Sequence, residues 1–273
     1  MAKKFKLTAD NYYSVEANQR YFSVSQIKSF IDCPARAMAE INGEWKTPMT
    51  KALMMGSYFD AWVEGTLDKF KEEHPEIFNA RTKELKADYQ QVEEIIKLVQ
   101  ADDLFMEYLE GDKQKIITFN LFGAPWKMKM DVYKKGERIV DTKLMRSMER
   151  IMGVSFVEHW RYDWQTAIYA EGEFLRNRKK NKQRLPTYLA VATKEDETDI
   201  EIIHIPPWRN AECLEEIGKL MPRLIAYKSG EIEAPRCEGC AYCRATKKLK
   251  APISFEKVGL SAKDLAMMEG NVF

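Results

Sequence analysis

The sequence predicts an α/β fold, in which an N-terminal helical region precedes a core of strands and helices. Helical patterns of apolar residues dominate the chain up to about residue 110. Three short apolar runs with turn signals then indicate strands, and a long helical pattern separates these runs from two more. The 273 residues contain neither an internal repeat nor a Gly/Ser-rich linker, so we expect one large domain.

The order of the predicted elements follows from capping, periodicity and turn signals. Ser23 and Gln26 form a capping box that opens a helix, and Pro34 interrupts or ends this helix. Two further helices are predicted at about 48–66 and about 84–110. The rest of the chain is predicted to form strands at about 115–122, 126–134 and 138–144, a helix at about 155–178, strands at about 186–194 and 200–205, and a helix at about 208–228.

The most informative stretch runs from Trp126 to Lys143 and reads WKMKMDVYKKGERIVDTK. Its two apolar runs flank a Lys-Lys-Gly-Glu turn, which predicts a hairpin whose first strand ends near Asp131. Asp141 and Lys143 are two residues apart on the second strand, so they project from the same face. The hairpin therefore brings two carboxylates and an ammonium together, as a Mg²⁺ site with a neighbouring cation requires. The alternative is a pair of surface strands with solvated charges.

Two helices outside the hairpin add candidate residues. Gly56, Asp60 and Glu64 recur every fourth residue, so they share one face of a helix whose other faces are apolar. Asp60 is therefore available as a third acid. Gln165 and Tyr169 also lie four residues apart, on the long downstream helix, where they form either plain helix surface or a contact with a phosphate backbone.

The order of these motifs resembles the PD-(D/E)XK nuclease superfamily, and more narrowly its RecB-type and RecE-type phage exonuclease branch. The segment SVSQIKSFIDCPARA is also similar to the N-terminal helix of RecB-type nuclease domains, including its Cys-Pro ending. In that branch a histidine usually stands where this chain has Asp60. The residues that carry the resemblance are Gly56, Asp60, Asp131, Asp141, Thr142, Lys143, Gln165 and Tyr169.

The resemblance implies a restriction-endonuclease-like core, in which a central mixed β-sheet is flanked by helices. The predicted α-β-β-β-α-β order of elements agrees with such a core. Its helical N-terminal part would cover about 1–110, the α/β core about 111–230, and a cysteine-bearing tail about 231–273.

The resemblance also assigns roles to the acidic residues. Asp131 and Asp141 would hold one or two Mg²⁺ or Mn²⁺ ions. Asp60 and the backbone carbonyl of Thr142 would be further ligands. Lys143 would orient the attacking water, while the metal lowers the pKa of that water and stabilises the transition state.

The implied activity is hydrolysis of phosphodiester bonds from the ends of linear double-stranded DNA, with Gln165 and Tyr169 positioning the scissile strand. Relatives of this type are often homo-oligomeric rings that degrade the 5′ strand and pass the 3′ overhang to a single-strand annealing protein. The implied setting is a phage-encoded or prophage protein in a bacterial cytoplasm. Two alternatives stay open: an Fe–S nuclease acting on single strands in repair or CRISPR adaptation, and a non-catalytic DNA-binding module.

The tail contains a second motif, CEGCAYC, in which two residues separate Cys237 from Cys240 and Cys240 from Cys243. Three thiolates need a fourth ligand to complete a tetrahedral site, and Cys33 at the end of the first helix is the candidate. A close triplet with one distant cysteine favours a [4Fe–4S] cluster, with zinc and unliganded thiols as the alternatives. Cys213, alone on a predicted helix, is expected to pack as a small hydrophobe.

Composition indicates the cellular compartment of the protein but does not specify its activity. The chain has 43 basic and 42 acidic residues, so its net charge of +1 provides no global attraction for nucleic acid. Six basic residues without an acid occupy 176–184, as either a solvated loop or a DNA-backbone contact. No apolar run approaches transmembrane length, and the first residues lack a signal-peptide core. Five cysteines without a secretory signal indicate a reducing cytosol.

Overall fold

The computed structural model describes residues 5–179, 182–249, 251–252 and 254–259. Its described residues contain a five-stranded sheet with the strand order β1-β2-β3-β4-β5. The pair β3–β4 is parallel, whereas β2–β3 and β4–β5 are antiparallel, so the sheet is mixed as predicted. The strands are β1 (Asp112–Leu121), β2 (Ala124–Lys134), β3 (Arg138–Met145), β4 (Thr187–Thr193) and β5 (Ile200–Ile205).

Helices precede, interrupt and follow the strands. The described helices are α1 (Val15–Arg20), α2 (Val24–Asp32), α3 (Pro34–Ile41), α4 (Lys51–Glu64), α5 (Leu67–Glu73), α6 (Ala87–Gln100), α7 (Asp103–Tyr108), α8 (Phe156–His159), α9 (Tyr162–Asn177), α10 (Pro207–Ser229) and α11 (Ala241–Ala245). Single 3₁₀ turns occur at Pro75–Ile77 and Phe255–Lys257. In the described part of the chain, no helix is long and apolar enough to cross a membrane.

The chain divides into two compact units. The sheet unit comprises Pro48–Leu121 and Lys127–Ile217. The cysteine unit comprises the residues before Pro48, the short stretch Phe122–Trp126, and the residues from Gly218 onward. The assignment of the whole chain to one domain stays a prediction.

The predicted helix start at Ser23 is present, although only half of the capping box forms. The Ser23 hydroxyl accepts the backbone N–H of Gln26 at 3.4 Å and begins α2. The Gln26 side chain donates instead to the carbonyl of Asn18 at 3.0 Å. Pro34 is the first residue of α3, where proline is well tolerated because that N–H has no helical partner. The chain therefore ends α2 at Asp32 and restarts immediately as α3.

Two predicted helices are each broken into two. The predicted helix at about 84–110 separates into α6 and α7 because the carboxylate of Asp102 caps the N–H of Phe105 at 2.7 Å and starts a new helix. The predicted helix at about 155–178 separates into α8 and α9, since Arg161 takes a left-handed conformation with φ 53°. The strand predicted at about 126–134 is confirmed as β2, which ends at Lys134, so Asp131 lies within this strand and not at its end. The short helices α1 and α5 were not predicted.

Apolar residues of the sheet unit cover both faces of the strand β4. Val140 on β3 and Ala190 on β4 belong to a large apolar cluster with residues of α4 and α6. Leu189 and Val191 of β4 belong to a second cluster, together with Phe156 of α8. Alternate residues of one strand point to opposite faces, so β4 is a central strand buried on both sides.

The cysteine unit has an aromatic core of its own. The rings of Phe22 and Trp126 lie 6.0 Å apart, and those of Phe30 and Tyr227 are stacked at 6.2 Å. The ammonium of Lys228 lies 4.1 Å from the centre of the Phe22 ring, within cation–π range. These contacts hold the first helices against the end of α10.

Candidate active site

Three carboxylates of the sheet unit converge around Thr142. Asp131 on β2 and Asp141 on β3 each lie one residue beyond the Val132–Val140 pair, so the hairpin register aligns them. The Thr142 backbone N–H donates to Asp131 Oδ2 at 2.9 Å. The Thr142 hydroxyl lies 3.1 Å from Asp60 Oδ1 on α4 and 3.3 Å from Asp131 Oδ2, and its single proton can serve only one of them. Thr142 thus connects Asp60 on α4 with Asp131 on β2.

Lys143 supplies the positive charge of this site. Its ammonium forms an ion pair with Asp141 and donates to the Thr142 carbonyl at 3.0 Å. The ring of Tyr162 lies 5.1 Å from the same ammonium, within cation–π range. Burial lowers the pKa of Lys143, but the charges of Asp141 and Asp131 outweigh this effect and raise its pKa overall. The ammonium therefore stays charged at neutral pH.

The acids of the site carry more negative charge than Lys143 balances. Burial, with a further contribution from the charge of Asp131, raises the pKa of Asp60 to about 7. Burial also raises the pKa of Asp141 to about 7, although Lys143 acts in the opposite direction. Asp141 Oδ2 is buried and makes no hydrogen bond among the described residues, apart from its ion pair with Lys143. A group of carboxylate oxygens with surplus charge and an available lone pair fits a hard divalent cation.

Gln165 and Tyr169 on α9 are bonded to groups of the site. The Gln165 side-chain amide donates to Asp141 Oδ1 at 2.6 Å and lies 2.9 Å from the Tyr169 hydroxyl. That hydroxyl donates to the carbonyl of Lys129 on β2 at 2.8 Å. Tyr169 is only 6% exposed, so the two residues are not plain helix surface. They orient Asp141, and their contact with a DNA strand stays a prediction.

Sequence reasoning missed two residues of the site. Tyr162 lies three residues before Gln165, and this helical spacing could have placed it on the same face. Gln114 on β1 donates its side-chain amide to Asp131 Oδ1 at 3.3 Å and has a left-handed φ of 51°. No local signal in the sequence indicates Gln114, because its position depends on the pairing of β1 with β2.

The four predicted cysteines meet in the cysteine unit. The sulfurs of Cys33, Cys237, Cys240 and Cys243 all lie within 4.8 Å of one another, and none forms a disulfide. Cys33 Sγ is 3.6 Å from Cys243 Sγ, and Cys237 Sγ is 3.9 Å from it. In the described chain this is the one set of three or more ligand atoms from His, Cys, Asp or Glu that is gathered so closely. Cys213 is buried in the sheet unit, as expected for a packed hydrophobe.

Backbone N–H groups are directed at these sulfurs. The N–H groups of Arg36, Cys240 and Cys243 point at Cys33, Cys237 and Cys240 respectively, at 3.3 to 3.4 Å. Burial raises the pKa of the Cys243 thiol to about 12 and also raises that of Cys33. Burial acts in the same direction at Cys237, but N–H donors from Cys240 and Gly239 outweigh it and lower its pKa to about 7. Four thiols with N–H donors fit a thiolate-bound metal centre.

The basic run at 176–184 is only partly described, since Lys180 and Asn181 lie outside the described residues. Arg184 forms an ion pair with Glu171 at 2.5 Å, and its guanidinium lies 5.0 Å from the Phe174 ring. Its charge is therefore partly balanced by the protein. The contact of this run with a DNA backbone stays a prediction.

The site and the sheet are those of a PDDEXK-like protein. Residues 23–246 match the model of the family described as a PDDEXK-like domain of unknown function (DUF3799), and the chain belongs to this family. A crystal structure of a protein from Eubacterium rectale, named "Putative exonuclease", is 42% identical with a TM-score of 0.87. The match covers 94% of this chain and 100% of that one.

Two other comparisons add nothing to this assignment. The crystal structure of the protein SSO0001 is 16% identical, with a TM-score of 0.26 over 80% of this chain and 92% of that one, and carries no argument. The search of curated proteins gave no match.

Proposed function

We propose that the protein is a metal-dependent DNA exonuclease that hydrolyses phosphodiester bonds from the ends of linear double-stranded DNA. The observation that carries the proposal is the convergence of Asp60, Asp131 and Asp141 around Thr142, with Lys143 paired to Asp141. Membership of a PDDEXK-like family and similarity to the protein from E. rectale that is named an exonuclease support it. The intact acids and lysine argue against a non-catalytic DNA-binding module.

Asp60, Asp131, Asp141 and the Thr142 carbonyl would hold Mg²⁺ or Mn²⁺. The bound cation would lower the pKa of the attacking water and neutralise charge on the phosphate. Thr142 keeps Asp60 and Asp131 at a fixed separation through its hydroxyl and its N–H. Such preorganisation spares the site a rearrangement when charge develops on the substrate.

Lys143 would orient the water and stabilise negative charge on the phosphate. Its raised pKa supports this role, because only the protonated form carries the needed charge. The Tyr162 ring limits where the ammonium can move. Gln165 fixes the orientation of the Asp141 carboxylate through its hydrogen bond to Oδ1.

The test of this proposal compares DNA with and without ends. Purified protein is incubated with end-labelled linear duplex and with covalently closed circles, each with Mg²⁺ or with EDTA. We expect the linear duplex to be degraded only when Mg²⁺ is present, and the closed circles to stay intact under both conditions. Efficient cutting of closed circles would indicate an endonuclease, and no Mg²⁺-dependent loss of any DNA would contradict nuclease function altogether.

The finer features of the proposal come from the resemblance to phage recombination exonucleases. They are degradation of the 5′ strand, assembly into a homo-oligomeric ring, hand-over of the 3′ overhang to a single-strand annealing protein, and action in a bacterial cytoplasm. Separate 5′ and 3′ labels on one duplex test the polarity. Light scattering after gel filtration tests the ring, and a monomer at micromolar concentration would contradict it.

We propose in addition that the four cysteines hold one structural metal centre. The separations of 3.6 and 3.9 Å support a single zinc ion, because ligands about 2.3 Å from a tetrahedral zinc lie about 3.8 Å apart. A cubane cluster binds each cysteine to a different iron and holds the sulfurs farther apart. Colourless protein with one zinc per chain would support zinc. Brown, iron-containing protein from an anaerobic preparation would instead support the [4Fe–4S] cluster that the cysteine spacing favours.

A second candidate function is an Fe–S nuclease that acts on single strands in repair or CRISPR adaptation. The observation that favours it is the meeting of Cys33 with the C-terminal triplet, as in RecB-type Fe–S nucleases. The two functions differ in substrate. Faster degradation of single strands than of blunt duplex by an iron-containing preparation would support this second function over the first.

A further inference from the structure

A tight turn at Ile151–Val154 has an unusual residue at its tip. Ile151 and Val154 exchange backbone hydrogen bonds of 2.9 and 3.0 Å across a two-residue loop. Met152 and Gly153 both have positive φ, 52° and 79°, as in a type I′ turn. Asn-Gly is the preferred pair for this turn, since the left-handed conformation is unfavourable for a longer side chain such as methionine.

Met152 is also the most exposed large apolar side chain described in the protein, at 94%. Contacts of two neighbouring residues hold this turn in place. Ile151 packs on the apolar cluster of Phe156 and Leu189, and the Arg150 guanidinium donates to the Gly153 carbonyl at 3.0 Å. Backbone strain and an exposed apolar side chain are both costs, and a rigid turn that bears both is a candidate for a contact with another molecule.

The turn lies next to the candidate active site. The connecting segment 146–161 begins three residues after Lys143 and ends immediately before Tyr162. Tyr162 packs on the same apolar cluster as Ile151, and its ring lies 5.1 Å from the Lys143 ammonium. The turn is thus connected to the site through the apolar cluster that Ile151 shares with Tyr162.

The charge around Met152 indicates a polyanionic partner. Arg146 and Arg150 are exposed, and neither has a carboxylate partner among the described residues. Glu149 is the only acid between Arg146 and Ser155. Exposed guanidinium groups beside an apolar side chain are the combination with which proteins bind a DNA backbone and press on its bases.

We infer that Met152 is a strand-separating wedge, which presses on the terminal base pair of a DNA duplex so that one strand can enter the active site. Arg146 and Arg150 hold the phosphate backbone on either side of the wedge. The inference rests on the proposed function, since it assumes that a duplex end is the substrate. It assigns a substrate-opening step to a residue outside the carboxylate site.

The test uses Met152→Asn, which removes the apolar side chain and keeps a residue that the type I′ turn favours. The variant should fold with an unchanged or higher melting temperature. We expect the ratio of its rate on blunt, G·C-closed duplex to its rate on single strands to fall about tenfold, as for loss of one base-stacking contact. A duplex with mismatched terminal pairs should restore the ratio to within about twofold of wild type, because less unpairing is then required. Met49→Asn, at a methionine 59% exposed elsewhere in the sheet unit, should leave the ratio unchanged.

A second measurement does not depend on cleavage. A duplex with 2-aminopurine at its terminal pair should brighten when it binds the Asp141→Asn protein, and should stay dark with the Asp141→Asn, Met152→Asn double variant. An unchanged ratio, which includes equal losses on duplex and single strands, would overturn the wedge, as would equal fluorescence with the single and the double variant. Brightening with the Asp141→Asn protein, combined with no degradation of any DNA by the wild type in Mg²⁺, would keep the wedge and overturn the proposed nuclease.

Discussion

Two regions of this molecule are suited to metal ions, and they are built in different ways. The carboxylate site around Asp141 has oxygen ligands on a sheet and a helix, and it contains a fixed cation, Lys143. The cysteine cluster has four sulfur ligands from the two ends of the chain, and backbone N–H groups are directed at three of them. The sheet register positions the acids whether or not a metal binds. Cys33 and the triplet lie on separate segments of the chain, which are joined near the cluster by a backbone hydrogen bond of 3.1 Å from Ala35 to Pro235 and by the packing of Trp45 on Tyr242.

We therefore expect the carboxylate site to serve chemistry and the cysteine cluster to serve stability. A ligand lost from the carboxylate site should abolish activity while the fold persists. A ligand lost from the cysteine cluster should weaken the fold while the chemistry of the remaining folded molecules persists. Three predictions test this division and a fourth tests a buried lysine of the sheet unit, in order of decreasing expected effect.

The largest effect is expected for Cys33→Ser, which should lower the free energy of unfolding by more than about 5 kcal/mol, because metal binding contributes directly to folding. Denaturant titration with metal analysis measures the loss. The rate per folded molecule should stay within a few fold of wild type. Cys213→Ala is the matched control, as a buried cysteine outside the cluster, and should cost only about 1 kcal/mol. Equal effects of the two substitutions would contradict a structural centre.

Asp141→Asn should reduce Mg²⁺-dependent degradation by about a thousandfold or more, because the site loses a charge that holds the cation and no neighbour replaces it. Circular dichroism should show an unchanged fold, since the backbone register of β3 is retained. Asp196→Asn makes the same exchange in the exposed turn before β5 and should have no effect. A folded Asp141→Asn protein with near wild-type activity would remove this residue from the site.

Lys143→Met should lower kcat by about a hundredfold and leave the Kd for DNA within about twofold of wild type. The reason is that the ammonium is proposed to stabilise the transition state more than the bound DNA. Single-turnover rates and a binding titration in Ca²⁺ separate the two quantities. Lys97→Met, at an exposed lysine of α6, is the control. Weaker binding with an unchanged turnover rate would make Lys143 a DNA clamp.

Lys127 is a second buried lysine of the sheet unit, and burial shifts its pKa in the direction opposite to the overall shift of the Lys143 pKa. It is 2% exposed, and burial lowers its pKa from 10.5 to about 8. The unfolded chain therefore binds more protons than the folded one between these values, so stability rises with pH. Relative to Lys127→Met, the wild type should gain about 2 kcal/mol of unfolding free energy from pH 8 to pH 10. A difference that does not change with pH would contradict the lowered pKa.

Local signals in the sequence predicted the elements that carry the site. The turn residues between β2 and β3 predicted the hairpin, and the two-residue spacing of Asp141 and Lys143 predicted that both side chains lie on one face of the strand. The fourfold spacing of Gln165 and Tyr169 likewise predicted a shared helix face, although not its burial.

Long-range pairing and backbone strain explain what the sequence did not predict. Gln114 reaches Asp131 only because β1 lies beside β2, which no local pattern encodes. The break between α8 and α9 occurs at Arg161 in a left-handed conformation, without the glycine or proline that usually marks such a position. The cysteine cluster could be predicted because cysteines are rare and their chemistry is specific. The spacing of the triplet therefore indicated a metal site and left few candidates for its fourth ligand.

The distance along the chain between Cys33 and Cys243 has a consequence for synthesis. The two residues are separated by 210 positions. At ribosomal speeds of about 5 to 20 residues per second, Cys33 emerges roughly 10 to 40 s before its last partner. During that interval its thiol has no cluster to join and is available to oxidants or to other metal ions in the cell. The order of translation therefore makes Cys33 the cysteine of the cluster most dependent on a reducing compartment.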